Sequence, residues 1–253
     1  MPRFNLLEAI GYNQLKEITG NPERERIADY RKNHPEVKEI AFKQNKEYYD
    51  GDRRNGFGGY KYQGIFRPFV EAAVSRYKLN SNSRILIDRD EKGFLTFDFK
   101  LAIPNATIYG VHNSDYSINH AMDGYGKWAA KELNGHANVR EQNARERVLP
   151  YLLKVDNLDL PFADNYFDTV ISIHSICNFE ENDCRKALRE LIRVSKNNGL
   201  NSYIQNDSWE SEHERKKLMD WVLICRTFLP VEGWDNLFKE ESYNGDYGFV
   251  RFK

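Results

Sequence analysis

Ile85-Leu-Ile-Asp-Arg-Asp-Glu-Lys-Gly-Phe94 decides how this chain is read. An apolar run closes on Asp88, a turn follows, and a helix is expected at about Gly93–Ile103. Many α/β cofactor sites open in this way. Their ordinary sequel is D-x-G-x-G-x-G, because main chain must pass within contact distance of the ligand. Read without a gap, Asp90, Lys92 and Phe94 take the three glycine places, and a one-residue gap recovers only Gly93. The scaffold is easier to name than the activity.

Outward from this stretch, strand and helix alternate, the mark of a largely parallel sheet with both faces covered. Strands are expected at Arg84–Asp88, Thr107–Val111, about Tyr151–Val155, Thr169–His174 and Ser202–Asn206, with Asp246–Phe252 as a final edge strand. Helices are expected at Asp115–Leu133, Asp183–Val194, Glu212–Cys225 and Val231–Glu240. The second of these puts Cys184, Ala187, Leu188, Leu191 and Ile192 on one stripe, with Asn182 as its N-cap. Asn134–Arg147 is polar and reads as an extension of the connection before the third strand.

Before residue 80 the rhythm is helical. Leu6, Leu7, Ile10, Leu15 and Ile18 share a face, a second helix covers Glu23–Lys32, and a third follows Pro35 and ends near Tyr49. Asp50–Gly64 holds five glycines in fifteen residues, too many for a stable helix, and Ile65–Leu79 resumes the helical pattern. The expected architecture is α/β: a Rossmann-like, doubly wound, mostly parallel sheet with an N-terminal helical cap. Residues 1–80 form the cap and a glycine-rich lid segment, and 81–253 form the core.

The 253 residues suffice for one substantial core. With 37 basic against 38 acidic residues, the net charge of -1 gives no field of the kind that displaces counterions from nucleic acid. No apolar run approaches the roughly 20 residues that span a bilayer. The N-terminus lacks the pattern of a secretion signal. Three cysteines without a C-x-x-C pair argue against a disulfide framework and for a reduced, cytoplasmic setting.

Several pieces, in order, resemble the class I S-adenosylmethionine-dependent methyltransferases, particularly the bacterial small-molecule kind. They are Asp50-Gly-Asp-Arg-Arg54, Gly58-Gly-Tyr-Lys-Tyr62, Ile85-Leu-Ile-Asp88, Tyr109–Ile118, Leu160-Pro-Phe-Ala-Asp-Asn-Tyr-Phe-Asp168 running into Val170–Ile173, and Ala187–Val194. The run from Leu160 to Asp168 is the most specific. The resemblance covers roughly residues 48 to 253 and implies S-adenosylmethionine as cofactor. It also implies a small metabolite as methyl acceptor; in one subgroup that is a sugar or surface-polysaccharide precursor.

On that resemblance the cofactor positions are Asp88, Asp90, Gly93, His112, Asn113, Asp156 and Asn157. Asp90 and Glu91 place carboxylates where the cofactor's own carboxylate usually rests, and like charges repel there. His112 replaces an acid that accepts from both ribose hydroxyls, whereas neutral histidine offers one acceptor. Losing a charged hydrogen bond costs about 1.5–3 kcal/mol. Asp156 and Asn157 remain competent acceptors for the adenine amino group, and are equally good turn formers.

Tyr60, His174, Asn178 and Asp207 are the candidate positioning groups for catalysis. Arg53, Arg54, Tyr60, Lys61 and Tyr62 read either as a lid over an anionic or sugar-like substrate or as a solvated loop. Ser208 and Trp209 join Asp207 as candidate cleft residues, while Trp221, Cys225 and Trp234 read as core. No metal site is expected, since His174, Cys177 and Cys184 match no common ligand spacing. Two readings stay open: a methyltransferase, or a degenerate member of the fold that has lost S-adenosylmethionine and serves as a binding or regulatory partner. Homo- or hetero-oligomeric assembly is open in both.

Overall fold

The computed structural model describes residues 4–10, 15–16, 21–124 and 141–252. Its sheet has six main strands: β2 (Arg84–Asp88), β3 (Thr107–His112), β4 (Leu152–Lys154), β5 (Thr169–Ile173), β6 (Tyr203–Asp207) and β7 (Asp246–Phe252). A two-residue strand β1 (Leu15–Lys16) extends the edge beside β7. The order is β4-β3-β2-β5-β6-β7-β1, and every pairing is parallel. After β4 the chain crosses back over β2 and β3 to begin β5. That reversal opens a crevice between the carboxyl ends of β2 and β5, the place where such sheets hold ligands.

Both faces are covered, and strand periodicity assigns the residues. Ile85 and Ile87 of β2, with Ile108, Ile171 and Tyr203, pack under α1 (Leu6–Ala9), α5 (Arg67–Arg76) and α6 (Phe94–Ala102). Leu86, Val111, Val170 and Ile204 face the other way. They meet α9 (Glu181–Val194) through Cys184, Leu188 and Leu191, and α11 (Val231–Glu240) through Trp234 and Leu237. α6 is buried on most of its surface, its Thr96, Asp98 and Lys100 included.

The remaining helices are α2 (Pro22–Asn33), α3 (Glu36–Phe42), α4 (Lys46–Tyr49), α7 (Asp115–Asn119), α8 (Glu141–Val148) and α10 (Glu212–Trp221). Asn21 caps α2 ahead of its first-turn proline, and Ser211 caps α10. A long-range clamp ties α5 to the far strand: Arg76 and Tyr77 both donate to Asp246, the tyrosine at 2.9 Å.

Five expectations change. Leu15 lies on strand β1 rather than on a helix with Leu6 and Leu7, and Ile18 falls outside the described residues. The helix after Pro35 splits at Gln44, whose φ of 45° breaks the regular backbone. That break aims Gln44 at the sheet: its carbonyl accepts from Ser114 at 2.6 Å and its side chain from Arg89 at 3.1 Å. The helix from Asp115 ends at Asn119, and residues 125–133 of the expected helix lie outside the described residues, as do 134–140 of the polar extension. Glu180, not Asn182, is the N-cap residue of α9, and α10 stops at Trp221 because Val222 is extended, with ψ 143°.

Ile171 sits in the central strand pair with no exposed surface. Ile171→Ala should cost about 2–5 kcal/mol. Urea unfolding should show a lowered midpoint with an unchanged slope.

Candidate functional site

The turn after β2 is built from the inside out. Asp88 ends the strand buried, its carboxylate accepting from Asn157 at 2.5 Å and Ser172 at 2.8 Å. Asp90 turns its two oxygens to the first amides of α6, Leu95 and Thr96, both at 3.0 Å. Burial pushes its carboxyl up to about 6 even so. Gly93 enters α6 with φ 75°, and a Cβ there would meet Leu152 at 2.9 Å. Glycine is therefore required at this one place. Arg89 also lies in the left-handed region, at φ 58°, with a full side chain.

Glu91 is the hub. It accepts from Tyr49 at 2.5 Å and from Arg89 at 3.0 Å, and faces His112 Nε2 at 3.3 Å. Burial alone would raise its carboxyl, but Arg89, His112 and Tyr49 outweigh that and hold it at about 2. Burial lowers the His112 pKa, so the ring is neutral near pH 7. Its Nδ1 accepts the Ser114 amide at 2.8 Å, which puts the proton on Nε2, toward Glu91 and the Tyr49 oxygen at 3.2 Å. Both ring nitrogens are thus engaged within the protein.

A second tie lies alongside. Lys92 is 1% exposed and pairs with Asp50 at 2.7 Å; Asp50 also accepts from Tyr116 at 2.8 Å and the Tyr60 amide at 3.1 Å. Lys92 therefore points inward, onto the glycine-rich segment. From that segment Tyr62 is buried and donates to Asp98, while Arg54 pairs with Asp52 in solvent and Lys61 is exposed.

A cavity of about 370 Å³ lies beside this hub. Tyr60, His174, Asn178 and Asp207 all border it, together with Asp88, Asp90, Arg53 and Arg89. His174 Nδ1 stands 3.3 Å from Asp207, and its Nε2 is 2.8 Å from the Gln205 amide nitrogen. Tyr60 stacks between Phe57 and Phe94, at 4.1 and 4.9 Å between ring centres. Asn178 donates to the His174 carbonyl at 2.6 Å.

A smaller cavity of about 230 Å³ adjoins through Arg89 and Asn178, and His112, Asn113 and Asn157 line it. Asp156 is exposed and closes its own turn onto the Leu158 amide; it borders neither cavity, and nor does Gly93. Ser208 is buried and donates to the Leu229 carbonyl, and Trp209 packs with Leu218 and Phe252. Trp234 and Cys225 belong to the core, with Cys225 also bordering the larger cavity, while Trp221 stands in that cavity's wall. Among the described residues no group of three metal-binding side chains occurs.

Tyr49 and Arg89 were not singled out from the sequence. The chain carried one faint signal for Arg89, its place in a turn that favours glycine. It carried none for Tyr49.

Because its folded pKa is depressed, Glu91 contributes stability that is complete above about 4.5 and lost as pH falls toward about 2. Asp90 works in the opposite sense between 3.8 and about 6, so the test is a difference. Glu91→Gln should lower stability by about 3–5 kcal/mol at neutral pH, since Arg89 is left buried without its counter-ion. In denaturant titrations at several pH values, the gap to wild type should shrink as pH falls through that window.

Residues 93–202 match a family described as a methyltransferase domain. Among solved structures, the chain is similar to the (4+2)-cyclase SpnF at 22% identity over 51% of this chain and 41% of that one, with TM-score 0.37. It is also similar to the YcgJ protein of Bacillus subtilis, at 15% identity over 68% and 66% of the two chains, with TM-score 0.43. A SAM-dependent methyltransferase from Aquifex aeolicus matches at 20% identity over 50% and 58%, with TM-score 0.33. The chain spans less than two thirds of each of these neighbours. No curated protein matches it. The chain thus has a doubly wound parallel sheet, and its residues 93–202 are similar to a methyltransferase domain.

Proposed function

We propose that this methyltransferase-like protein holds a small metabolite at the head of its sheet and has given up the family's S-adenosylmethionine site. The observation that carries this reading is the closed network of Glu91 with Arg89, His112 and Tyr49. It brings three bulky side chains and a carboxylate to the turn where the cofactor needs bare main chain and a free ribose acceptor. The residues present therefore do not fit S-adenosylmethionine in the family's manner. Asp156 gives one oxygen to its own turn and Asn157 donates its amide hydrogens to Asp88; the acceptor oxygens left to them do not replace the bare main chain and ribose acceptor that the hub displaces.

A ligand still has room. The 370 Å³ cavity has the size and the mainly apolar wall of a small-molecule site, with a few polar groups to orient what enters. The segment before residue 80 acts in this reading as a cap, with Tyr49 as its latch and Arg53 and Tyr60 as its contribution to the wall. Residues 81–253 act as the core, and a cytoplasmic binding or regulatory partner is the role that follows. One observation favours the second reading, methyl transfer to a small or sugar-like acceptor: Tyr60, His174, Asn178 and Asp207 all reach the same cavity.

Calorimetric titration with S-adenosylmethionine and S-adenosylhomocysteine separates the two. Folded wild-type protein should give no binding heat at millimolar ligand, and micromolar affinity would overturn the proposal. The combined variant Arg89→Gly, Glu91→Gly, His112→Asp removes the hub from the turn and puts an acid at the end of β3, and should be the form that binds, if either does.

A further inference from the structure

Two cysteines far apart in the chain meet beside the larger cavity. Cys177 lies in the short helical turn Ile176–Asn178 after β5, and Cys225 lies in the segment between α10 and α11. The Cys177 carbonyl accepts from the Arg226 and Thr227 amides at 2.8 and 2.9 Å, so main chain fixes the two segments against each other. Both residues belong to one apolar cluster, and their thiols are hydrogen-bonded to each other. Two sulfurs are thus held in contact, with both cysteines free.

Polar groups converge on this pair. The His174 ring hydrogen-bonds to the Cys177 thiol. Asp207 stands 3.3 Å from His174 Nδ1, and the Gln205 amide nitrogen 2.8 Å from its Nε2, so the ring is held on two sides. His174 has φ 50°, a strained conformation for a residue with a side chain and one that clusters at functional sites.

The bond from Cys225 first, and that from His174 next, lower the Cys177 pKa against the effect of burial. The same bond between the thiols, and then burial, raise that of Cys225. Besides these two partners, the ionisable groups facing Cys177 are Asp207 at the end of β6, Arg89 in the turn after β2 and Cys184 on α9. Cys177 is therefore the sulfur that gives up its proton, and Cys225 the one that keeps it. The thiolate is the nucleophilic form.

Cys177 is 1% exposed, which excludes bulky reagents. Its neighbours Cys225, His174 and Asn178 all border the cavity, so a molecule the size of water can reach the groups in contact with its sulfur.

We infer that Cys177 and Cys225, held thiol to thiol beside His174, are a redox pair that hydrogen peroxide closes to a disulfide. The Cys177 sulfur attacks one peroxide oxygen: an S–O bond forms, the O–O bond breaks, and hydroxide leaves as water with the proton the thiol had released. The Cys225 sulfur then attacks the resulting sulfenic acid. An S–S bond forms, the S–O bond breaks, and a second water carries away the Cys225 proton. Two thiols are oxidised by two electrons and one peroxide is reduced to two waters. Thiols reopen the pair by exchange, as suits a disulfide formed in a reducing setting. The inference does not rest on which ligand the cavity holds.

The test is to treat the folded full chain with hydrogen peroxide, block the remaining thiols and map the peptides by mass. A linked pair through Cys177 and Cys225, lighter by two hydrogens and reopened by dithiothreitol, is expected, with Cys184 left as a thiol. Closure at pH 7 should run within about threefold of its rate at pH 8.5, where an ordinary thiol of pKa about 8.5 would slow about fifteenfold. Cys225→Ala should stop at a sulfenic acid on Cys177, one oxygen heavier and captured by dimedone. Absence of the link at millimolar peroxide overturns the inference, as does a link through Cys184 or one that forms only in urea. So does a Cys177→Ala variant in which Cys225 is oxidised as fast as in the wild type.

Discussion

The buried Glu91 carboxylate is the constraint on which the head of this molecule depends. It gathers a hydroxyl from α4, a guanidinium from its own turn and an imidazole from the end of β3. A charge taken out of water is costly unless it is paired and hydrogen-bonded, and here it has three partners. Removing any one leaves the others short. The same arrangement forms part of the wall of the crevice that the strand order opens. Lys92 and Asp50 repeat the pattern one residue on and fix the glycine-rich segment to the core.

Much of the fold was legible in the sequence because it rests on periodicity. Ile85-Leu-Ile-Asp88 alternates between two apolar layers, and the stripe from Cys184 to Leu191 meets one of them. Misreadings arose where a tertiary contact overrode local pattern. Leu15 has helical spacing with Leu6 and Leu7 but pairs as a strand with Arg251, far along the chain. Gln44 breaks an otherwise continuous helix because its carbonyl and side chain are needed by Ser114 and Arg89. No local rule anticipates either event.

The candidate site was legible in its outline and not in its wiring. Tyr60, His174, Asn178 and Asp207 reach one cavity because a parallel sheet delivers strand ends, and the segments facing them, to the same side. The direction of each side chain was hidden. Asp90 looks like a ligand in sequence and serves as a helix cap in space. Asp156 looks like an acceptor for a base and closes its own turn. Glu91 reads in sequence as a charge set against the cofactor's carboxylate, and it holds the network. Such roles turn on χ angles and, for Glu91, on a tyrosine 42 residues away, which a linear pattern does not encode.

The brevity of α4 has a consequence for the order of assembly. Four residues make too few internal hydrogen bonds to persist as an isolated helix. Tyr49 finds its anchors only once β2 and β3 have paired and brought Glu91 and His112 together. The latch therefore docks late as the chain folds and comes away early when the native state breathes. Its backbone amides should exchange with solvent well ahead of those in the central strands.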